Sequence, residues 1–311
     1  MNLELSGDSF RTMDKELVSI IMPAFNAERF IAKALESVRA QTHKHWELIV
    51  TNDGGTDGTP QIVSTFAKSV AQTVVLIQHQ HALGPSAARN SGMKIAKGEF
   101  IAFLDSDDIW LSEHLESLCE ILRSGMGDLA YSDAYVFTEA PSGEIDILPI
   151  AAFKVTNPRL DLFRRNFINT SGAALTRRLM ERVGEFDQGL WAGEEADYWI
   201  RAAIQGFEIV GTLKRTYYYR KSEGSLSSAS ARMAEGAGTI FEKHRKCGLL
   251  PESELVTNAS DCYFAAGKLY WRKDSGAARR NFYKSWTLNK LRALPLLWYL
   301  LTSMLSVAGR A

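Results

Sequence analysis

At 311 residues, with 46% hydrophobic and 23% charged side chains, the chain is long enough for one large domain, or for a domain with a smaller appendage, and can bury a sizeable core. Its 36 basic and 36 acidic residues cancel, which argues against a nucleic-acid binder that works by bulk electrostatics. Three scattered cysteines, Cys119, Cys247 and Cys262, argue against a disulfide framework or a zinc site, and the polar stretch 1–16 lacks the apolar run of a signal peptide, so a cytoplasmic protein with reduced thiols is expected.

Residues 17–22 form a continuous apolar, β-branched run closed by Pro23, which reads as a strand buried on both faces, as in a parallel sheet. Asn26 then stands where it would cap a helix whose Phe30, Ile31, Ala34, Leu35 and Val38 recur at helical spacing. A second strand, residues 47–51, ends in Asn52-Asp53-Gly54-Gly55-Thr56-Asp57-Gly58, a turn dense in residues that tolerate positive φ or bond their own backbone. Thr59 as cap and Pro60 at the first helical position start a helix burying Ile62, Val63, Phe66 and Ala67. Residues 74–77 are a third strand, Gly84-Pro85-Ser86 opens a third helix through Ala96, and residues 100–104 are a fourth strand. Strands alternating with helices predict right-handed crossovers and a mostly parallel sheet covered on both faces.

The fourth strand runs into Asp105-Ser106-Asp107-Asp108, three carboxylates in four residues. Clustered carboxylates repel and desolvate badly unless a cation sits among them, so the cluster is either a site where Mg²⁺ or Mn²⁺ bridges a phosphate or a solvated acidic turn. In such sheets ligands bind beyond the carboxyl ends of the strands, where residues 23–26, 52–57 and 105–108 converge. There is no phosphate-loop signature and no paired-glycine turn after the first strand.

In the second half Leu115, Leu118, Cys119 and Leu122 share a helical face, which makes Cys119 a core residue. Pro141-Ser142-Gly143 marks a turn in the stretch 136–157, an expected acceptor-side loop. Asn169-Thr170-Ser171 and Asn258-Ala259-Ser260 match a glycosylation sequon but mean little without a secretory signal. Asp197 and Arg201, four apart on one helix, form a supporting pair. From about residue 228 onward the pattern is helical, around 233–247, 252–272 and 276–288, and reads as a packing appendage. Residues 291–307 hold an apolar stretch at the short limit for a membrane span, so a docking helix or an interfacial helix fits better.

Four motifs in order resemble the inverting family 2 glycosyltransferases, which have the GT-A fold: residues 18–26, residues 52–58, Ala88-Arg89-Asn90-Ser91-Gly92, and Phe103-Leu104-Asp105-Ser106-Asp107-Asp108. The resemblance spans roughly residues 17–220 and implies a polar tail over 1–16, a GT-A domain over 17–227 and a helical region over 228–311. It implies a nucleotide-sugar donor, preferably a UDP-sugar, a divalent cation, and a glycan or lipid-linked acceptor in cell-surface polysaccharide synthesis; peripheral membrane contact through 291–307 is an expectation of the apolar stretch itself. Pro23, Phe25 and Asn26 would border the base, unless Phe25 packs under the sheet edge. Asp53 would accept from a uracil imide, or else hold its own turn, and Arg89 would bring planar donors to the nucleotide, or else lie on the surface. Asp105 and Ser106 would line the ribose, Asp107 would bind the metal, and Asp108 would support the loop.

In the same family Val183-Gly184-Glu185-Phe186-Asp187 followed by Trp191 to Trp199 resembles the catalytic segment, with Glu195 at the position of the base and Glu194 as its competitor. Both could instead be helix-start carboxylates favoured by the dipole. Tyr217 to Ser227 resembles the loop that closes the donor site, with Ser222 where relatives carry His, which leaves Arg220 or Lys221 to contact phosphate. No Gln-x-x-Arg-Trp segment follows, a poor match to processive synthases. A nucleotidyltransferase, or a non-catalytic nucleotide-sugar binding module, is the alternative.

Overall fold

The computed structural model describes residues 16–139, 145–149, 155–221, 230–291 and 293–308. Its first half alternates as expected: β1 (Val18–Ala24), α1 (Ile31–Arg39), β2 (Trp46–Asn52), α2 (Thr59–Ala67), β3 (Val74–Gln78), α3 (Pro85–Ile95), β4 (Phe100–Phe103). The strands pair in parallel, β1 lying between β2 and β4 so that Ile21 is opposite Ile49 on one side and Phe103 on the other.

The second half supplies β5 (Ile109–Trp110), α4 (His114–Arg123), β6 (Leu129–Glu139), β7 (Ile145–Pro149), α5 (Pro158–Asp161), β8 (Ala173–Thr176), α6 (Arg177–Val183), α7 (Glu194–Ile204) and β9 (Ile209–Arg220). These strands extend the sheet to the order β3-β2-β1-β4-β8-β6-β9-β5, with β7 on β6. The parallel expectation holds for β1 to β4, whereas β8 is antiparallel to both β4 and β6 and only the β6·β9 pair of the added part is parallel. The whole is a mixed α/β sheet with helices on both faces.

Alternation along β1 shows why both faces are covered. Val18, Ile20 and Met22 join α1, α2 and α4 in one apolar cluster that holds Leu35, Phe66, Leu118 and Cys119. Ile21 points the other way, into a second cluster with Met93 of α3, Leu179 of α6 and Tyr198 and Trp199 of α7. Burying both faces of a strand favours apolar residues at nearly every position, as in the run 17–22, whose one polar residue, Ser19, donates its hydroxyl to Glu47 Oε1 at 2.6 Å. Gly92 lets α3 lie close on this sheet: a Cβ there would meet Ile21 Cγ2 at 2.9 Å.

Two cap expectations are corrected. Asn26 adopts φ 48° and its Oδ1 accepts from the Thr56 amide at 2.9 Å, while α1 starts only at Ile31. Thr59 is the first residue of α2 rather than its cap, and its hydroxyl accepts from the Ala27 amide at 3.0 Å. Each side chain has been drawn across to the other loop, so the two ties clamp the ends of β1 and β2 together.

Beyond β9 the described elements are helices: α8 (Ser230–Lys243), α9 (Glu252–Tyr270), α10 (Ser275–Leu288) and α11 (Ala293–Ala308). Ile240 and Phe241 of α8 and Leu255 and Tyr263 of α9 belong to the same apolar cluster as α7, so these helices brace the acidic start of α7. Phe282 of α10 nucleates a smaller cluster with Phe264 and Trp298.

Candidate active site

At the end of β1, Pro23 is half-buried and Phe25 is 56% exposed, so the Phe25 ring does not pack under the sheet edge and keeps a free face. The end of β2 is tied in firmly. Asn52 donates to Gln78 Oε1 at 2.8 Å, and Gly54, at φ 73°, presses against the backbone of His81, where a Cβ would come within 2.4 Å.

Asp53 differs from its expected role. It is buried, its Oδ1 accepts from the Leu83 amide at 3.0 Å and lies 2.6 Å from His79 Nδ1, and its Oδ2 accepts from the Gly84 amide at 2.7 Å. A carboxylate offers about four lone-pair positions, and these contacts commit them to the 79–84 segment rather than to a base imide. Those partners lie in the 79–84 segment, so Asp53 fastens a neighbouring loop rather than its own turn. His79 Nε2 in turn lies 2.9 Å from Ser91 Oγ, which links this loop to α3.

The acidic turn after β4 divides its three carboxylates. Asp108 is buried beneath the turn and accepts from the Arg220 amide at 2.8 Å, with its carboxyl pushed well above the usual range by burial and then by Asp107 and Asp105. Asp105 is partly open, and its Oδ1 accepts from Arg89 Nη2 at 2.8 Å. Its other oxygen accepts from the Thr170 hydroxyl at 3.2 Å, and its amide donates to Ser171 Oγ at 3.0 Å. Ser106 is half-buried between them. Asp107 carries no ion pair among the described residues, and burial, then the Asp105 charge, pushes its carboxyl up to about 6.

Arg220 sits under this turn rather than over it. Its Nε donates to the Asp107 carbonyl at 2.9 Å, and its guanidinium lies 4.5 Å and 4.3 Å from the Phe30 and Phe137 ring centroids. A phosphate contact from Arg220 is therefore not what the buried geometry offers, while Lys221 is exposed. Ser222 lies outside the described residues, as do 140–144 and 150–154 of the expected acceptor-side loop.

Arg89 is not on the surface, and its fork is taken up by carboxylates. It is 4% exposed, with Nη1 donating to Glu194 Oε1 at 2.8 Å and Nη2 to Asp105, and its guanidinium packs 5.6 Å from the Phe186 ring centroid. The small residues Ala87, Ala88 and Gly92 let α3 sink toward the sheet, and the fork meets carboxylates from two sides. Those two charges, acting against burial, raise its pKa further, so Arg89 stays cationic.

Helix α7 begins with both candidate bases, after Gly193 in the left-handed region at φ 78°. Glu194 is buried and paired to Arg89. Glu195 is partly buried, its Oε1 accepts from Asn166 Nδ2 at 3.0 Å, and burial followed by the Glu194 charge pushes its carboxyl up to about 7. Asp197 anchors the helix: it accepts from Arg201 Nε at 2.9 Å, as the spacing predicts, and also lies 2.8 Å from His244 Nε2 and 2.7 Å from Lys243 Nζ of α8. Those hydrogen bonds outweigh burial and hold its carboxyl well below the usual range.

Asn166, Thr170, Ser171 and His79 have no place in the sequence reading. Thr170 and Ser171 were visible there only as two-thirds of a sequon, yet both fasten Asp105. Trp191, 87% exposed on the segment leading to α7, is a further surface aromatic beside the candidate base.

For a divalent cation, the donor chemistry fits in a limited way. Among the described residues no group of three or more His, Cys, Asp or Glu is arranged to hold a metal. Asp107 offers one hard carboxylate that no ion pair neutralises, which suits an ion whose remaining shell comes from a diphosphate and water.

The comparisons agree with one another. Residues 19–182, more than half of the chain, match the model of Glycosyl transferase family 2. Among curated proteins, the chain is 47% identical over 104 residues to the Escherichia coli UDP-Glc:alpha-D-GlcNAc-diphosphoundecaprenol beta-1,3-glucosyltransferase WfgD, a match covering 33% of this chain and 40% of that protein. It is 28% identical over 231 residues to the putative teichuronic acid biosynthesis glycosyltransferase TuaG of Bacillus subtilis, covering 74% and 88%. Among solved structures, S. aureus TarS 1-349 in complex with UDP-GlcNAc superposes with TM-score 0.68 at 20% identity over 94% of this chain and 92% of that one. The mannosyltransferase PcManGT from Pyrobaculum calidifontis, in complex with GDP-Man and Mn2+, gives TM-score 0.63 at 18% identity, covering 96% and 87%. These structural likenesses establish the GT-A fold, and with the matched family model they show that the chain belongs to glycosyl transferase family 2.

Proposed function

We propose that this glycosyltransferase moves a sugar from a UDP-sugar donor to a hydroxyl of a lipid-linked or other glycan acceptor, with inversion, in cell-surface polysaccharide synthesis. The observation that carries the proposal is the pair of α7 carboxylates held in different states. Arg89 holds Glu194, while Glu195, beside it and hydrogen-bonded by Asn166, has its carboxyl raised to about 7. A base is most effective when its pKa lies near the working pH, and Glu195 meets that condition, whereas Glu194 already has an oxygen taken up by Arg89 Nη1. Glu195 takes the proton of the acceptor hydroxyl as the hydroxyl oxygen attacks the anomeric carbon and the bond to the nucleotide diphosphate breaks.

The donor side follows from the same geometry. Phe25 offers its exposed ring to the base beside Pro23 and Asn26, Asp53 holds the wall of that pocket, and Asp105, fixed by Arg89 and Thr170, turns toward the ribose together with Ser106. A divalent cation held by Asp107 would neutralise the departing diphosphate. The names of WfgD and WfaP from Escherichia coli specify UDP-Glc and a lipid-diphosphate acceptor, and the TarS complex holds UDP-GlcNAc, which supports the choice of a uridine donor. A lipid-linked acceptor is met at a membrane, and residues 291–307 are the expected contact on its inner face.

The direct test is a transfer assay with UDP-Glc, UDP-GlcNAc, UDP-Gal and GDP-Man against lipid-diphosphate-linked sugar acceptors, with Mn²⁺, Mg²⁺ or EDTA. Transfer from a UDP-sugar that gives an inverted product and fails in EDTA is expected. Transfer from GDP-Man alone, or a retained anomeric configuration, would overturn the donor or the mechanism.

A further inference from the structure

Helix α11 presents two stripes of side chains. Pro295, Trp298, Tyr299 and Thr302 face the protein: the Trp298 ring lies 4.9 Å from Trp271 and 5.5 Å from Phe282, and Tyr299 lies 5.3 Å from Tyr283. Leu294, Leu297, Leu300 and Leu301 make the other stripe and are 55%, 57%, 49% and 44% exposed, with Leu291 just ahead at 98%. At about 100° per residue the two stripes centre on roughly opposite sides of the helix. The expected docking helix therefore docks by one face only and leaves a leucine face open, which soluble surfaces rarely do over so many contiguous residues.

Charge is spread unevenly along the chain. Residues 268–311 contain nine Lys or Arg and one acidic residue, Asp274, whereas residues 1–267 contain 27 basic and 35 acidic residues. Arg279, Arg280 and Lys284 on α10 and Lys290 after it are all exposed, and Tyr283, 47% exposed, stands among them. An apolar stripe flanked by basic residues and interfacial aromatics is the pattern of a helix lying in the plane of a bilayer surface.

We infer that α10 and α11 seat the protein on an anionic lipid surface, with the leucine stripe at the boundary of headgroups and acyl chains and the basic residues on lipid phosphates. The inference rests on the proposed lipid-linked acceptor and deepens it by naming the surface on which that acceptor is met. A second copy of the chain is a poorer occupant, because a two-fold contact would set the basic residues against themselves. Among the described residues no helix is long and apolar enough to cross a membrane, which fits a seat rather than a span. Lys284 also reaches toward the segment ahead of α7: it lines a cavity of about 610 Å³ with Glu242, Lys243, Tyr263, Asp187 and Leu190.

The test is sedimentation of the full chain with vesicles of phosphatidylglycerol and phosphatidylcholine, or of phosphatidylcholine alone, at low and high salt. A Leu297→Glu/Leu301→Glu variant and an Arg279→Glu/Arg280→Glu variant are run beside it, with UDP binding as the measure of an intact fold. Anionic vesicles should bind the wild type roughly tenfold more tightly than neutral ones, high salt should remove most of that difference, and each variant should lose about tenfold. Equal binding to neutral vesicles, unchanged binding by both variants, or a wild-type dimer that the leucine variant dissolves would overturn the seat. Transfer to a detergent-soluble acceptor is measured in parallel. Its absence with vesicle binding intact would remove the proposed activity and leave the seat, and its presence without vesicle binding would do the reverse.

Discussion

Arg89 and Glu194, 105 positions apart, form a buried ion pair of 2.8 Å that joins α3 to the first residue of α7. The same guanidinium holds Asp105, so one cation sets the spacing between a carboxylate of the β4 turn and the acids that open α7. Arg89→Met leaves the buried Glu194 and the partly open Asp105 uncompensated and should lower stability by about 3–5 kcal/mol in a denaturant titration. Arg89→Lys keeps the charge but not the fork, since an ammonium is a point donor. It should fold, bind UDP less than threefold more weakly, and lose transfer by about tenfold or more; full transfer by the lysine variant would show that the bridge does not position the acids.

Glu195→Gln should reduce kcat by about 10²–10⁴ with little change in UDP-sugar affinity, the range by which a general base contributes. The pH profile supplies a sharper check. With the carboxyl raised to about 7, the base is protonated below that pH, so transfer should rise as pH increases through about 7 and level off above it. Burial is the largest cause and the Glu194 charge the next, so Glu194→Gln should move the acid limb to lower pH even as it weakens the Arg89 bridge. An acid limb that stays in place in Glu194→Gln would separate Glu195 from the observed ionisation.

The first four strands are legible because each carries a mainly apolar run, and the four motifs, three at strand ends and one within α3, can be read in order. The caps were not, because Asn and Thr serve turns and helix starts alike, and what decided Asn26 and Thr59 was a backbone partner about 30 residues away. The place of Arg89 depends on an α7 carboxylate that no local pattern brings near, and Asp53 on amides that turn inward at 83–84. The antiparallel strands β6 and β8 carry no helical alternation to announce them. Thr170 and Ser171 show the general difficulty: a motif assigned by spelling had a physical role set by position beside β4.

Position also governs His114, which is wholly buried, stacks on Trp110 with ring centroids 4.4 Å apart and has Nδ1 2.6 Å from the Thr216 hydroxyl. Burial lowers its pKa to about 3, so the folded state resists the proton that the unfolded state accepts near 6.5. Stability from this residue is complete above about pH 6.5 and is lost as pH falls toward 3, at about 1.4 kcal/mol per pH unit once the unfolded imidazole is protonated. His114→Phe should be less stable at pH 7 yet show a shallower fall in melting temperature between pH 6.5 and 4. Parallel slopes in the two proteins would contradict the burial of a neutral imidazole.

Phe25, after β1, and Trp191, ahead of α7, are both exposed aromatics, and under the proposed function they should separate kinetically. Phe25→Ala should weaken donor binding by about fivefold to a hundredfold, the span of about 1–2.7 kcal/mol that a base–ring stack supplies. Trp191→Ala should raise the acceptor KM and leave the donor KM unchanged, because the Trp191 segment leads into the base-bearing helix. A donor-side effect from Trp191→Ala would move that residue to the other side of the site.

The acidic turn decides how metal should behave. Asp105 is taken by Arg89 and Thr170, and Asp108 is turned inward onto the Arg220 amide, which leaves Asp107 to meet a cation. One carboxylate is a weak site for a hard divalent ion, which needs about six oxygens, so most of the shell must come from diphosphate and water. The free protein should bind Mn²⁺ only weakly by calorimetry or by electron paramagnetic resonance, UDP should strengthen that binding by roughly tenfold or more, and Asp107→Asn should abolish the gain without changing the melting temperature. Tight Mn²⁺ binding without nucleotide would require further protein ligands, and undiminished UDP-linked binding in Asp107→Asn would place the ion on another residue.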